Sequence, residues 1–223
     1  NPALLKAYKE GDWNQHGVAN LVIPRSIALK CVNNKFPWED QFARRMTVVD
    51  VAGEGGDEAV IYNMENATVL DQEIYSHRDL MDTVGRVIAH AKRNNSTVIA
   101  VDKPGEGAGV WSRLREVFQN DINGNKMVVY GFDGRISPPE GLDDETYANY
   151  KTYAWFKASK LYFKEGKANI PNDPELIRQL SAVKWKYHSN GKIILEDKKK
   201  IKEILGRSPD RADTYIIALD ALQ

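Results

Sequence analysis

Two short apolar runs, each closed by an aspartate, constrain the fold of this 223-residue chain more than any other feature. Residues 46–49 lead into Asp50, and residues 97–101 lead into Asp102. Runs of this length, rich in Val and Ile, are typical of buried strands. A carboxylate at the end of a buried strand is costly to desolvate unless it is paired. The pattern therefore predicts a sheet with a chemical site where two of its strands end.

Two more strand-like runs and one helical pattern lie between these aspartates. Residues 58–63 follow a glycine-rich turn at residues 53–57, and residues 68–74 follow a short connection. Three strands joined by short turns predict an antiparallel meander. Apolar residues at helical spacing over residues 80–91 then predict a crossover helix, which places the strand at residues 97–101 parallel to the first.

This topology brings Asp50 and Asp102 to the same edge of the sheet. Both follow the carboxyl ends of neighbouring strands, which lie about 4.8 Å apart. In sheets of this kind ligands bind at that edge. We therefore expect the two carboxylates to share one site, although each alone has a simpler structural interpretation at a strand end or a turn.

A third acidic site opens the last helical pattern of the chain, at residues 208–213. Ser208 is a favoured N-cap and Pro209 a favoured first helical residue, so we predict that a helix starts there. Asp210 and Asp213 are three residues apart and should point to the same side. The alternative is that both merely favour the positive end of the helix dipole.

Oxygen ligands from carboxylates suit hard divalent cations such as Mg²⁺ and Mn²⁺ and argue against zinc. Two such ions, about 3.5–4 Å apart, activate a water and stabilise the leaving oxygen of a phosphate diester. Our hypothesis is therefore a two-metal site for phosphodiester hydrolysis. Its candidate catalytic and metal-binding residues are Asp50, Asp102, Asp210 and Asp213.

The rest of the chain completes an α/β pattern. We predict a fifth strand at residues 127–130, a long helix over residues 145–164, and a hairpin of residues 183–188 and 192–196 around an Asn-Gly turn. The glycine-rich residues 105–109 lack the lysine of a phosphate-binding loop, which excludes nucleoside triphosphate binding there. We interpret them as a place where the backbone passes close to the site or the substrate.

Bulk charge does not decide whether the partner is nucleic acid, because 31 basic residues balance 31 acidic ones. The single cysteine, Cys31, excludes a disulfide within the chain. No apolar run approaches the length of a membrane span, so we expect no membrane partner. Basic residues near the acidic positions are candidate DNA contacts, although a lysine-rich run is often only a solvated helix face. These candidates are Lys103, Lys198, Arg207 and Arg211.

The order of these elements resembles the nuclease domain of the large terminase subunit of tailed bacteriophages, in the ribonuclease H-like (RuvC-like) superfamily. The resemblance rests on residues 48–57, 98–102 and 206–213, of which the last is the most specific. Because it starts near residue 45, we expect residues 45–223 to form the nuclease domain. Residues 1–44 are expected to be a linker or arm from a preceding ATPase region.

The resemblance implies a mixed five-stranded sheet flanked by helices, with a β-hairpin insertion. It also implies two Mg²⁺ or Mn²⁺ ions and cleavage of concatemeric viral DNA in the cytoplasm of the infected bacterium. The implied partners are double-stranded DNA, the portal protein and the small terminase subunit. Asp50, Asp102 and Asp210 match the metal-binding positions of the family, and Asp213 matches a fourth found in RuvC-like resolvases. The chain lacks a Walker A sequence, so no ATPase motor is expected in it.

Three alternatives stay open at this point. A Holliday-junction resolvase has the same scaffold and would prefer branched DNA. A non-catalytic DNA-binding or packaging-assembly module would retain DNA without turnover. An actin-like ATPase also ends its first strand with an aspartate, but it normally needs two copies of the fold.

Overall fold

The computed structural model describes residues 20–38, 43–52, 57–76, 79–119 and 127–223. A π-helical turn, Ser159–Phe163, directly follows Ala158, the last residue of the fifth helix. The elements in chain order are α1 (Arg25–Lys30), β1 (Arg45–Asp50), β2 (Ala59–Glu65), β3 (Thr68–Tyr75), α2 (Leu80–Arg93), β4 (Val98–Asp102), α3 (Gly107–Gln119), β5 (Val128–Phe132), α4 (Leu142–Thr146), α5 (Tyr150–Ala158), α6 (Pro174–Leu180), β6 (Trp185–Tyr187), β7 (Ile193–Leu195), α7 (Lys198–Leu205) and α8 (Asp210–Ala221).

Five strands form one mixed sheet in the order β3-β2-β1-β4-β5. The pairs β1–β2 and β2–β3 are antiparallel, whereas β1–β4 and β4–β5 are parallel. Strands β6 and β7 form a separate hairpin. The predicted fold class is therefore confirmed, including the crossover through α2 that places β4 beside β1. The glycine-rich turn predicted at residues 53–57 lies largely outside the described residues.

Helices cover both faces of the sheet. On one face α2 and α3 pack through residues such as Val84, Val87 and Leu114. On the other face α8 lies against β1, and every residue from 212 to 220 in it is buried. A helix that is apolar on all sides is stable only when it is enclosed. α5 and α6 enclose α8 from outside, and this fixes its first turn at the carboxyl edge of the sheet.

Part of the predicted arm packs onto the same core. Val22, Ile23, Ala28 and Cys31 are buried in the cluster that contains α8. The backbone N–H of Val22 donates to the carbonyl of Val183 at 3.1 Å. Residues 20–32 therefore rest on the domain that follows them, while the boundary near residue 44 stays a prediction.

The long helix predicted over residues 145–164 is wrong as one element, because it breaks before Tyr150. Asn149 has an extended backbone, with φ of −156°, and its side chain accepts a hydrogen bond from the N–H of Thr152. This is a normal N-cap, which starts a new helix even though the apolar spacing continues across it.

No helix in the described part of the chain is long and apolar enough to cross a bilayer.

Candidate metal centre

Asp50 and Asp102 are the last residues of the neighbouring parallel strands β1 and β4. Val49 and Val101 are paired in the parallel register of β1 and β4, so the next residue on each strand is an aspartate. The start of α3 lies against this edge, since a Cβ on Gly107 would be 1.7 Å from the backbone oxygen of Asp102. Only glycine allows that approach, which agrees with our interpretation of the glycine-rich loop.

The first turn of α8 supplies Asp210 and Asp213, which are 5% and 6% exposed. The Oδ2 atom of Asp210 accepts a hydrogen bond from the backbone N–H of Glu58 at 3.0 Å. Asp213 accepts two hydrogen bonds, from Nε1 of Trp155 at 3.1 Å and from Nζ of Lys151 at 2.6 Å. Both carboxylates are therefore held by donors from other elements.

The four carboxylates act on one another. Burial and the charges of Asp102, Asp210 and Asp213 raise the pKa of Asp50 well above its usual range. Burial also raises the pKa of Asp102 to about 6, although the ammonium of Lys151 opposes the shift. Asp210 has its pKa raised to about 6 by burial, against the opposing hydrogen bond from Glu58. The sequence-predicted residues are thus brought into one electrostatic cluster.

Lys151 belongs to this cluster, and sequence reasoning missed it. Burial by itself lowers the pKa of Lys151, but Asp213, Asp102 and Asp50 together raise it above its usual value. The residue lies in the first turn of α5, where its neighbours give no sign of chemistry. Only the cap at Asn149, which fixes where α5 starts, was available as a sequence signal for its placement.

Among the residues that the structure describes, no group of three or more His, Cys, Asp or Glu side chains is arranged to hold a metal ion as it stands. The charges of the four carboxylates interact, but their oxygen atoms are not arranged around one point. Lys151 forms an ion pair with Asp213 among them. The ammonium of Lys198 also acts on Asp102 and Asp210, so four carboxylates face two ammonium groups and surplus negative charge remains. The donor set is therefore of the kind that hard divalent cations prefer.

The start of α8 differs from the prediction in a way that affects the site. The helix begins at Asp210, and its N-cap is Pro209 rather than Ser208. In place of a serine cap, the buried Oε1 of Gln179 accepts the N–H groups of Arg211 and Ala212 at 2.9 and 3.2 Å. A side chain from α6 thus satisfies the free amides of the helix that carries two of the carboxylates.

The four predicted DNA contacts have different surroundings. Arg207 and Arg211 both bind Glu58, at 2.7 and 3.0 Å, and Arg211 also binds Asp173 at 2.9 Å. Lys198 lies 4.0 Å from Asp57 and lines a cavity of about 420 Å³ that also borders Asp102, Lys151 and Asp213. Lys103 lies over the ring of Trp111.

Two sets of solved structures have the same fold. The nuclease domain of the large terminase subunit gp2 of bacterial virus Sf6 aligns with a TM-score of 0.69 at 18% identity, over 89% of this chain and 98% of that one. The large terminase nuclease from thermophilic phage G20c aligns with a TM-score of 0.59 at 13% identity, over 90% of this chain and 98% of that one. The chain therefore has the fold of phage terminase nuclease domains, as the sequence predicted.

Divalent metals are present in several of those structures. Variants of the Sf6 domain have been solved with manganese and with calcium, and the G20c nuclease with cobalt and with magnesium. No protein-family model matches the present chain, and no curated protein matches it either.

Proposed function

We propose that this protein is a metal-dependent DNA endonuclease that cuts concatemeric viral DNA during genome packaging. The observation that carries the proposal is the cluster of Asp50, Asp102, Asp210 and Asp213, in which burial and mutual repulsion raise the pKa of the first three. Repulsion of this kind is costly in a structural role, and it is relieved when a cation is bound. The likeness in fold to phage terminase nucleases supports the same activity.

In this proposal Asp50 would be shared by two Mg²⁺ or Mn²⁺ ions, Asp102 would hold one of them, and Asp210 with Asp213 would hold the other. When bound, such ions activate a water and stabilise the leaving oxygen of a phosphate diester. The all-oxygen donor set supports this choice of metal. So do the metals found in the Sf6 and G20c nucleases.

The chain's own donors have separate tasks in this proposal. Glu58 aims Asp210 through its backbone N–H, and Lys151 partly neutralises Asp213. We propose phosphate contacts for Lys103, Lys198 and Arg207. Arg207 donates to Glu58 through Nη1, but its side chain is 35% exposed, twice the exposed fraction of Arg211. Arg211 would have to leave Glu58 and Asp173 to reach a phosphate, so we assign it the positioning of α8.

The substrate we propose is double-stranded DNA in the cytoplasm of an infected bacterium. The portal protein and the small terminase subunit are the proposed partners in packaging. A clean way to separate this from a junction resolvase is to compare linear duplex with four-way junctions of the same sequence. The present proposal predicts no preference for the junction.

Nicking of supercoiled plasmid with Mn²⁺ tests the activity. Asp50→Asn and Asp210→Asn should each abolish nicking, and chelation should abolish it in the wild type. Asp71→Asn is a suitable control, because this carboxylate pairs with Arg93 on the exposed surface of β3. Nicking that survives chelation, or that survives both active-site substitutions, would reject the assignment.

A further inference from the structure

A second group of basic residues lies around the indole of Trp111, beside the carboxyl edge of the sheet. The Nζ atom of Lys103 is 4.4 Å from the ring centre, and the Cζ atom of Arg115 is 4.8 Å from it. Within the described ranges, neither cation forms an ion pair with a carboxylate. Asp133, whose pKa responds to the charge of Lys103, is already bound by Arg135 at 2.8 Å.

The position of the indole is fixed by the strand beneath it. Trp111 lies in the second turn of α3, and its ring rests on Gly131 of β5. A Cβ on Gly131 would lie 2.7 Å from Nε1 of Trp111 and 3.1 Å from Cδ1, so a glycine is required for the ring to lie there. Nε1 is buried and has no hydrogen-bond partner among the described residues. The ring therefore packs against Gly131 on one side and contacts the two cations.

An aromatic support has a different effect from a carboxylate partner. A cation over an aromatic ring is attracted by the face of the ring and loses none of its charge. A carboxylate partner would cancel that charge and would repel a phosphate. Arg113, on the same helix, shows the contrast, because it binds Glu116 at 2.7 Å. Among the described residues, Lys103 and Arg115 therefore have no carboxylate that cancels their charge, and both are placed over the ring, where they can meet an anion.

We infer that Lys103, Trp111 and Arg115 form a second binding site for the DNA backbone, separate from the acidic cluster. The inference rests on the proposed nuclease function. Lys103 follows Asp102 directly, and successive residues of a strand point to opposite faces. Asp102 borders the cavity on the α8 side, while Lys103 meets Trp111 on the α3 side. The site thus lies just across the sheet edge from the carboxylates.

The chemistry of the site indicates which part of DNA it binds. Each strand of a duplex presents a phosphate about every 3.4 Å, so phosphates that flank the cleaved bond pass near this edge. Lys and Arg bind phosphate without reading bases. The site would therefore hold the DNA on one side of the cut without adding sequence preference.

The test compares three proteins in DNA binding at several salt concentrations. The wild type, the double variant Lys103→Gln/Arg115→Gln and the control Arg113→Gln are titrated against labelled duplex DNA with chelator present. Each phosphate contact contributes about −0.9 to the slope of log affinity against log salt. Loss of two contacts should therefore reduce the slope by about 1.8. Between 50 and 200 mM salt, wild-type affinity should then fall about tenfold more than that of the double variant.

The outcomes separate this inference from the proposed function. A double variant with the wild-type slope, and with unchanged melting temperature, would overturn the second site. The proposed function would still stand if the wild type nicks plasmid with Mn²⁺. A wild type that neither nicks nor binds DNA would instead reject the proposed function. If the double variant lost affinity for polyglutamate but not for DNA, the site would be one for acidic protein and the inference would be wrong. The Arg113→Gln control should keep the wild-type slope.

Discussion

Removing the charge of Asp50 should stabilise the protein when no metal is bound. The carboxylate sits among Asp102, Asp210 and Asp213, and burial and those charges raise its pKa well above the usual range. Asparagine has nearly the same shape and no charge. In the metal-free protein at pH 7.5, Asp50→Asn therefore relieves repulsion that the folded state suffers and the unfolded state does not.

The size of the effect follows from the neighbouring groups. The pKa of Asp102 and that of Asp210 each rise from 3.8 to about 6, a difference of about 2 units. One unit corresponds to about 1.4 kcal/mol, so each shift represents about 3 kcal/mol at neutral pH. These shifts, whose largest cause is burial, only set the scale for one buried carboxylate in this cluster. At Asp50 itself, the substitution removes the charge that burial and the carboxylates of Asp102, Asp210 and Asp213 disfavour. We expect a gain of about 1–3 kcal/mol, or about 3–10 °C in melting temperature for a chain of this size.

The dependence on pH has a definite sign. Because the folded-state pKa values of Asp102 and Asp210 are raised, the folded protein holds these protons more tightly than the unfolded chain. The metal-free wild type should lose stability as pH rises from about 4 through about 6, where the shifted groups ionise. The pKa of Asp50 is also raised, so the cost of this carboxylate grows as pH rises above about 4, and the advantage of Asp50→Asn should be smaller at pH 5 than at pH 7.5.

Thermal melting monitored by circular dichroism checks this, with chelator or with excess Mn²⁺. Mn²⁺ at a hundred times its dissociation constant should stabilise the wild type by about 2.7 kcal/mol, and Asp50→Asn much less. With excess Mn²⁺, the melting temperature of the wild type should therefore equal or exceed that of Asp50→Asn. Asp71→Asn, an exposed control, should show neither effect. If Asp50→Asn were less stable than the wild type with chelator at pH 7.5, the repulsion argument would be refuted.

Three further substitutions test the support of the site. Lys151→Met should lower the metal-free melting temperature and tighten Mn²⁺ binding in calorimetric titration, since a competing ammonium is lost; unchanged Mn²⁺ affinity would contradict this. Gln179→Met should cost about 1 kcal/mol in urea unfolding, because the N–H groups of Arg211 and Ala212 lose their acceptor; an unchanged unfolding midpoint would contradict the capping role. Glu58→Gln should cost about 1–3 kcal/mol in the same assay, because Arg211 loses part of a half-buried ion pair; a neutral result would reject its structural role.

The sheet and the placement of the carboxylates could be predicted from the sequence because the signals are local. Each strand is a short apolar run with a turn or a helix on either side, and the connection lengths leave one simple topology. Once β1 and β4 are parallel neighbours, Asp50 and Asp102 must meet. Ser208 and Pro209 predict the start of α8 to within one residue, and with it the first turn that carries Asp210 and Asp213.

The remaining features depend on contacts between distant parts of the chain. Nothing near Lys151 in sequence indicates that it meets a carboxylate 62 residues later. The cap of α8 was predicted at Ser208, but the acceptor comes from Gln179 on another helix. The cation site at Trp111 depends on Gly131 of a separate strand. Local propensity carries no information about such partners.

A crystal structure with Mn²⁺ would show whether the four carboxylates form a metal centre, because manganese can be located by its anomalous scattering. We predict manganese bound by oxygen atoms of Asp50 together with Asp102 or Asp210, with the ammonium of Lys151 displaced from its present position or sharing the site. Manganese bound elsewhere, with these carboxylates unliganded at saturating concentration, would contradict it.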